Sequence, residues 1–135
     1  MAEPHVLDTS ALFCLSDDES GADTVQKILD DGNTLASFIS FMELFYVKHQ
    51  EDGELQARRI YDRMMALPIR IVESDASLRV LAGRIKATHR LSLADAWIAA
   101  TAESLGAVLV HKDPEFDALS DRIAMLRLPT KPRKA

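Results

Sequence analysis

The stretch from Leu91 to Phe116, LSLADAWIAATAESLGAVLVHKDPEF, constrains the fold more than any other part of the chain. Its apolar residues recur at spacings of three and four, which predicts a helix, and Asp95 lies at the edge of the apolar face of that helix. The short apolar run 107–110 then predicts a buried strand, and Asp113 follows where this strand leaves the sheet. Two carboxylates eighteen positions apart are therefore expected to approach one place.

Strands and helices alternate along the whole chain. The predicted strands are His5–Leu7, Thr34–Ser37, Ile69–Val72, 107–110 and 123–128. The predicted helices are 11–15, 20–31, 38–49, 54–67, a helix capped by Ser74 that runs to about Thr88, and the helix of the opening stretch. We expect one α/β domain, a three-layer sandwich in which a mostly parallel sheet of about five strands carries helices on both faces. The ligand crevice of such a sheet lies outside the carboxyl ends of its strands, where Asp8 and Asp113 are expected.

Length and composition fit one globular domain over residues 1–128, followed by a basic tail, PTKPRKA, that is predicted to be disordered over 129–135. No window approaches the roughly eighteen apolar residues that a membrane-spanning helix needs, and the start MAEPH lacks the basic residues of a signal peptide. Cys14 is the only cysteine and lies in an apolar run, which favours a buried thiol in a reducing compartment. These features predict a cytoplasmic protein.

The charge of the chain restricts its partners. Sixteen Lys and Arg residues against 21 Asp and Glu give a net charge of -5, which argues against a general nucleic-acid binder because non-specific affinity comes from basic residues that neutralise phosphates. An acidic surplus can instead reflect carboxylates that hold a cation, and a cation locally reverses the sign that a phosphate meets.

Four acids are the candidate site residues, and each of them has a purely structural alternative. Asp8 and Asp113 each precede a predicted helix and can serve as its N-cap. The segment Ser92–Asp95 matches a capping box with Asp in place of Glu. Glu43 is the only charged residue between Thr34 and Val47, in a helix with few positions that face water. Its structural alternative is to occupy one of these water-facing positions without any role in a site. The α/β topology favours convergence, because three of the four acids follow strands or begin helices that point at one crevice.

Carboxylates that converge in a partly dry cleft need raised pKa values or a cation. A hard divalent ion with oxygen ligands is the natural solution, and Mg²⁺, held by two carboxylates and several waters, suits substrate phosphates. Zinc is disfavoured, because the histidines and the single cysteine show no ligand spacing. The histidines are His5, His49, His89 and His111.

A site of this kind predicts hydrolysis of phosphodiester bonds. The metal lowers the pKa of a bound water and stabilises the leaving oxygen, so no nucleophilic side chain is required. Thr9, Ser10 and His111 are then candidates to hydrogen-bond the metal-binding carboxylates or a phosphate. His111 has the alternative of a strand residue without a role, and it is not assigned as a general base.

Three segments of the chain resemble the PIN-domain ribonucleases, in particular the VapC toxins of toxin-antitoxin pairs. They are VLDTSAL around Asp8, SFISFMELFYV around Glu43, and the opening stretch around Asp95 and Asp113, and the resemblance covers about residues 5–128. In the family pattern a small hydroxyl or amide residue usually stands two positions before the fourth acid and is often followed by Arg. Here His111 occupies the first of these places and a lysine the second.

The resemblance implies an endoribonuclease that depends on Mg²⁺ or Mn²⁺, with the four acids as its pocket. It also implies a homodimer and a small antitoxin whose C-terminal segment lies in a groove near the site, which we expect at the helical hairpin 38–67. The basic side chains that are available for phosphate contacts are Arg58, Arg59, Arg63, Lys112, Lys131, Arg133 and Lys134.

Other functions of an α/β scaffold remain as alternatives. One is a non-catalytic interaction module, or a degenerate member of the same family, although four acids without a cation would repel one another. Another is a receiver-like phosphoacceptor domain, which needs paired acids after the first strand, whereas Thr9 follows Asp8. A third is a haloacid-type phosphatase, which needs an aspartate at the position of Ser10.

Overall fold

A computed structural model describes residues 2–130 of the chain. The strands are β1 (His5–Leu7), β2 (Thr34–Ser37), β3 (Ile69–Val72), β4 (Val108–His111) and β5 (Met125–Arg127). The helices are α1 (Thr9–Asp17), α2 (Ala22–Asp31), α3 (Phe38–Asp52), α4 (Glu54–Met65), α5 (Ala76–Thr88) and α6 (Leu93–Leu105), with a 3₁₀ helix at Pro114–Leu119. The predicted alternation of strands and helices is confirmed.

The five strands form one sheet in the order β3-β2-β1-β4-β5, and every neighbouring pair is parallel. Parallel neighbours need crossover connections, which the helices supply. The central strand β1 pairs with β2 and β4, so that Leu7 lies opposite Ala36 on one side and Val110 on the other. The backbone N–H of Asp8 extends this pairing, since it donates to Val110 O at 3.0 Å. The carboxyl ends of β1 and β4 therefore lie side by side.

Two apolar layers cover the two faces of the sheet, as the alternation of side chains along a strand requires. Val6 and Leu109 belong to a buried cluster that α5 and α6 complete. Leu7 and Val110, the next residues of the same strands, belong to a second cluster with apolar residues of α1 to α4. This arrangement is the three-layer α/β sandwich that the sequence predicts.

Several element boundaries differ from the prediction for local reasons. The cap of α5 is Asp75, whose carboxylate accepts from Leu78 N at 2.8 Å, so the prediction of Ser74 as the cap is wrong. Strand β4 begins and ends one residue later than predicted, because Ala107 N donates back to Ala102 O and so belongs to the end of α6. Strand β5 is only three residues long, because Ile123 N is engaged by Leu119 O.

The expected disorder of the tail concerns mainly residues 131–135, which lie outside the described part of the chain. Within residues 2–130, every helix is too short or too polar to cross a lipid bilayer.

Candidate functional site

The sheet brings the predicted acids to its carboxyl edge from four elements. Asp8 follows β1 directly, and Asp113 comes two residues after β4. Asp95 lies in the first turn of α6, and Glu43 lies on α3, the helix that follows β2 without a gap. Because β1 lies between β2 and β4 in the sheet, all four residues are near one end of three adjacent strands.

Asp8 both caps a helix and lies among the other acids. Its Oδ1 caps α1 by accepting from Ala11 N at 2.8 Å and accepts also from Ser10 Oγ at 2.6 Å. The side chain is only 3% exposed. Burial raises the pKa of Asp8 to about 6; the two hydrogen bonds oppose this rise, while the negative charges of Asp113 and Glu43 add to it. The cap and the acidic neighbourhood are therefore both present, and neither excludes the other.

Glu43 is held by a hydroxyl that is adjacent to Asp8 in sequence. Thr9 Oγ1 donates to Glu43 Oε1 at 2.5 Å, across 34 positions of the chain. This bond joins the first residue of α1 to the second turn of α3. Glu43 is thus directed towards the start of α1 and not into solvent.

Asp95 and Asp113 form the tightest part of the cluster. One carboxylate oxygen from each of them and one from Glu115 lie within 4.8 Å of one another. The pKa of Asp95 is raised to about 7, mainly by burial and in addition by a hydrogen bond to Asp113 and by the negative charges of Asp113, Asp8 and Glu43. The four predicted acids are therefore close enough to affect one another's protonation.

The capping-box alternative for Asp95 is only half present. Asp95 N donates to Ser92 Oγ at 3.1 Å, so Ser92 is the N-cap of α6. The reciprocal bond, in which the Asp95 carboxylate would accept from Ser92 N, does not occur among the hydrogen bonds of residues 2–130. Ser92 therefore caps the helix while the Asp95 carboxylate remains directed at Asp113.

Glu115 joins the cluster although the sequence analysis did not single it out. Asp113 caps the 3₁₀ helix by accepting from Glu115 N at 2.9 Å, with Pro114 at the first helical position. This tight turn brings the two carboxylates, two positions apart, to the same side. The signal that could have found it is the Asp-Pro-Glu spacing, because a capped turn after a strand presents the residue two positions after its cap to the same crevice.

The two hydroxyl residues after Asp8 both contact acids, whereas His111 contacts an aromatic ring. Ser10 Oγ donates to Asp8 and accepts from Lys112 N at 3.2 Å, so it ties α1 to the segment after β4. The His111 ring is 1% exposed and packs edge-on against Phe116, with ring centroids 5.1 Å apart. Burial lowers the pKa of His111. Its Nδ1 has no hydrogen-bond partner within the described residues, and its ring makes no hydrogen bond there to any of the four carboxylates.

The cluster provides the ligands that a hard divalent cation prefers. All its donor atoms are carboxylate oxygens, which suit Mg²⁺ or Mn²⁺ better than zinc. Within residues 2–130, no Lys or Arg forms an ion pair with Asp8, Glu43, Asp95 or Asp113. The residues therefore fit a divalent ion, which would supply the positive charge that the neighbouring side chains do not.

The fold is shared with solved toxin-antitoxin proteins of low sequence identity. A chain of VapBC2 from Rickettsia felis, bound to a DNA fragment from the promoter, superimposes with a TM-score of 0.77 at 16% identity, over 93% of this chain and 98% of that one. DNA-bound VapBC from Salmonella typhimurium gives 0.78 at 19% identity over 93% and 98%. VapC20 from Mycobacterium tuberculosis, a toxin that cleaves the sarcin-ricin loop, gives 0.69 at 15% identity over 93% and 99%.

Sequence comparison gives the family. No curated protein sequence matches the chain significantly. The model of the PIN domain family matches residues 5–121, which include all four predicted acids and the five strands except the last. The chain therefore belongs to the PIN domain family.

Proposed function

We propose that the chain is a divalent-metal-dependent endoribonuclease and the toxin component of a toxin-antitoxin pair. The observation that carries this proposal is the convergence of Asp8, Glu43, Asp95 and Asp113 at one sheet edge, where burial raises the pKa of Asp8 and Asp95. Keeping such acids together without a cation costs free energy through desolvation and repulsion. Membership of the PIN domain family and the fold shared with a toxin that cleaves the sarcin-ricin loop support RNA as the substrate class.

The four acids hold Mg²⁺ or Mn²⁺ in this proposal, with Glu115 as an additional carboxylate at the same place. When bound, the ion supplies a water of lowered pKa and stabilises charge on the leaving oxygen of the phosphodiester. The protein's own residues contribute by holding the carboxylates in place. Thr9 holds Glu43 and Ser10 holds Asp8 through hydrogen bonds, so that both carboxylates are fixed at the carboxyl edge of the sheet.

Protonation of the carboxylates limits the binding of a cation at this site. Asp8 and Asp95 have pKa values raised to about 6 and about 7, and a carboxylate must be ionised before it can bind a cation. Proton and metal therefore compete, so we expect activity at a limiting Mg²⁺ concentration to rise with pH between about 6 and 8.

The substitution Asp95→Asn tests the proposed activity. Asn keeps the shape of the side chain and its backbone N–H bond to Ser92, but it removes one negative charge from the cation site. We predict that this variant folds normally and loses metal-dependent cleavage of RNA by at least about 100-fold, since mispositioning a catalytic ion costs several kcal/mol. Purified wild type and variant are compared with Mn²⁺ and with EDTA. Cleavage by the variant at the wild-type rate, or cleavage that survives EDTA, would falsify the assignment.

Two protein partners belong to the proposal. Several solved structures that share the fold are of toxin-antitoxin pairs, so we propose a cognate antitoxin as the inhibitor and a second copy of the chain as a homodimer partner, both in the cytoplasm. Met42 and Tyr46 on α3 and Leu55 on α4 are exposed apolar side chains, which makes the α3–α4 hairpin the candidate surface for the antitoxin. Coexpression with the product of an adjacent reading frame tests the first partner, and light scattering tests the second.

A further inference from the structure

The helix α5 and the segment after it form an unusually basic part of this acidic chain. No Asp or Glu occurs between Asp75 and Asp95. The basic residues of this stretch are Arg79, Arg84, Lys86 and Arg90, and all four are exposed. None of them belongs to an ion pair in the described part of the protein, whereas Lys27, Lys48 and Arg58, for example, each have an acidic partner. The charge of this surface is therefore available to an external anion.

Two of these cations line a groove that also has an aromatic wall. Arg79 and Lys86 are seven positions apart and so lie on one face of α5, about 10 Å apart along the helix axis. They border a groove of about 430 Å³ between α5 and α6. Its α6 wall includes Leu93, which is 64% exposed, and Trp97, the only tryptophan of the chain.

One end of the groove and the acidic cluster lie at the same end of the α5–α6 pair, because the two helices pack antiparallel. Leu78 near the start of α5 and Leu105 at the end of α6 line one small cavity together, so the end of α5 lies near the start of α6. Lys86 and Arg90 are consequently at the same end of the pair as Asp95. Leu93 and Trp97 lie two positions before and after Asp95 and so occupy a different face of α6 from it; a strand bound in the groove would reach the acids by passing around the start of α6.

We infer that this groove, lined by Arg79, Lys86, Leu93 and Trp97, binds the single-stranded RNA that flanks the bond to be cut. The inference rests on the proposed function for the identity of the polyanion. A groove that combines cations with a partly exposed aromatic side chain suits single-stranded nucleic acid, because phosphates pair with the cations and a base can stack on the accessible part of the ring. A local cationic surface is also needed by an enzyme whose net charge is -5, since the whole molecule repels RNA. An acidic protein segment would use the cations but would gain less from the tryptophan.

The experiment uses labelled single-stranded RNA in EDTA, which prevents cleavage, and measures binding by fluorescence anisotropy over a series of salt concentrations. The test variant is Arg79→Gln/Lys86→Gln/Arg90→Gln. The matched control is Lys27→Gln/Arg70→Gln/Arg127→Gln, which removes the same charge from exposed positions and breaks only the exposed pairs of Lys27 with Asp31 and of Arg127 with Asp117. Quenching of Trp97 fluorescence by the RNA reports on the groove itself, independently of activity.

We expect the α5 variant to bind RNA at least tenfold more weakly and to lose roughly two from the slope of log K against log salt, because each phosphate contact on a single strand contributes about 0.7. The control is expected to stay within twofold, and RNA is expected to quench Trp97 in the wild type and the control. Equal losses in both variants, undetectable binding by the wild type, or an α5 variant that loses only self-association or antitoxin binding would overturn the inference. A parallel cleavage assay with Mn²⁺ separates the two proposals. If the wild type cuts RNA but the α5 variant binds RNA as tightly as the wild type, only the proposal of the RNA-binding groove is refuted. If the wild type binds RNA in the groove but does not cut it, only the proposed nuclease activity is refuted.

Discussion

Asp8 shows how one carboxylate can serve both the fold and the site. Its Oδ1 accepts from Ala11 N and Ser10 Oγ, so it stabilises the start of α1 by an N-cap that is typically worth about 1 kcal/mol. Ionisation in this buried position is unfavourable, and the pKa is raised to about 6. The cap can be separated from the charge by substitution, because asparagine is also a good cap.

The substitution Asp8→Asn is predicted to stabilise the metal-free protein at high pH. The folded state binds the Asp8 proton more tightly than the unfolded state, whose pKa is near 3.8, so this group costs stability progressively as pH rises from about 4 to about 6 and fully above that. In EDTA at pH 8 the variant is expected to be more stable by about 1 to 3 kcal/mol, with little difference near pH 4. His111, with its lowered pKa, contributes equally to both proteins. Urea unfolding at several pH values measures the difference.

Magnesium is expected to reverse the order of stability of the wild type and Asp8→Asn. An ion that binds only the folded state raises the melting temperature, and the rise depends on affinity. We predict a larger increase for the wild type than for Asp8→Asn. Equal increases would mean that Asp8 is a cap with no part in metal binding.

Glu115 tests whether the cluster is larger than the sequence suggests. Its carboxylate lies within 4.8 Å of those of Asp95 and Asp113 but is exposed, so it is expected to strengthen metal binding less than they do. We predict that Glu115→Gln raises the Mn²⁺ concentration for half-maximal cleavage by about three- to tenfold, roughly 1 kcal/mol. Asp121→Asn, an exposed acid outside the cluster, is the control. An unchanged Mn²⁺ requirement would place Glu115 outside the site.

At the scale of elements, the sequence predicts the type and order of the helices and strands well, and it predicts the residues at which they begin and end less well. Hydrophobic runs such as Ile69–Val72 and the amphipathic α4 give the type and order of the elements, because burial imposes the periodicity that a reader of the sequence can see. Boundaries depend on single hydrogen bonds. Asp75 rather than Ser74 caps α5, and nothing in the pattern of apolar residues distinguishes two adjacent cap-forming side chains.

In the site, too, some features follow from local sequence patterns and others depend on tertiary packing. The approach of Asp95 and Asp113 is predictable because helix and strand periodicity place both residues at one end of a βαβ unit. The hydrogen bond between Thr9 and Glu43 spans 34 positions, and its partners are set by how α1 and α3 pack, which no local pattern encodes. The same holds for His111, whose contact with Phe116 depends on the turn between β4 and the 3₁₀ helix.

The packing of α1 on α3 has its own stabilising ion pair. Lys48 of α3 is 5% exposed; its Nζ lies 2.7 Å from a carboxylate oxygen of Asp17 at the end of α1 and 5.2 Å from the centroid of the Phe13 ring. The bond between Thr9 and Glu43 joins the same two helices near their other ends. These two contacts together fix the position of the helix that carries Glu43.

We predict that Lys48→Met lowers the free energy of unfolding by about 1 to 2 kcal/mol. Methionine keeps the apolar stem of the side chain, but Asp17 loses the partner of a largely buried pair; the cost stays below that of a fully buried one because the Asp17 side chain is 30% exposed. Lys27→Met removes the exposed pair with Asp31 and is expected to change stability by less than about 0.5 kcal/mol. Urea unfolding of both variants measures the two costs, and equal costs would show that the Lys48 pair acts only as a surface contact.

At the scale of the whole molecule, strand order explains why acids so distant in sequence meet. Placing β1 between β2 and β4 brings the ends of three strands together, so that acids from the first and last thirds of the chain face one crevice. The charge is also segregated. Acids gather at this edge, and an acid-free basic stretch runs through α5 and the segment after it. In the proposed function, one surface attracts the RNA strand and the other cuts it.

Titration of Mn²⁺ into the metal-free protein, followed by calorimetry, tests the shared cation site most directly. We predict saturable binding by the wild type, affinities at least tenfold weaker for Asp8→Asn, Asp95→Asn and Asp113→Asn, and an unchanged affinity for Asp121→Asn. A wild type that binds no Mn²⁺, or variants that bind it as tightly as the wild type, would contradict a site in which these carboxylates hold one ion together.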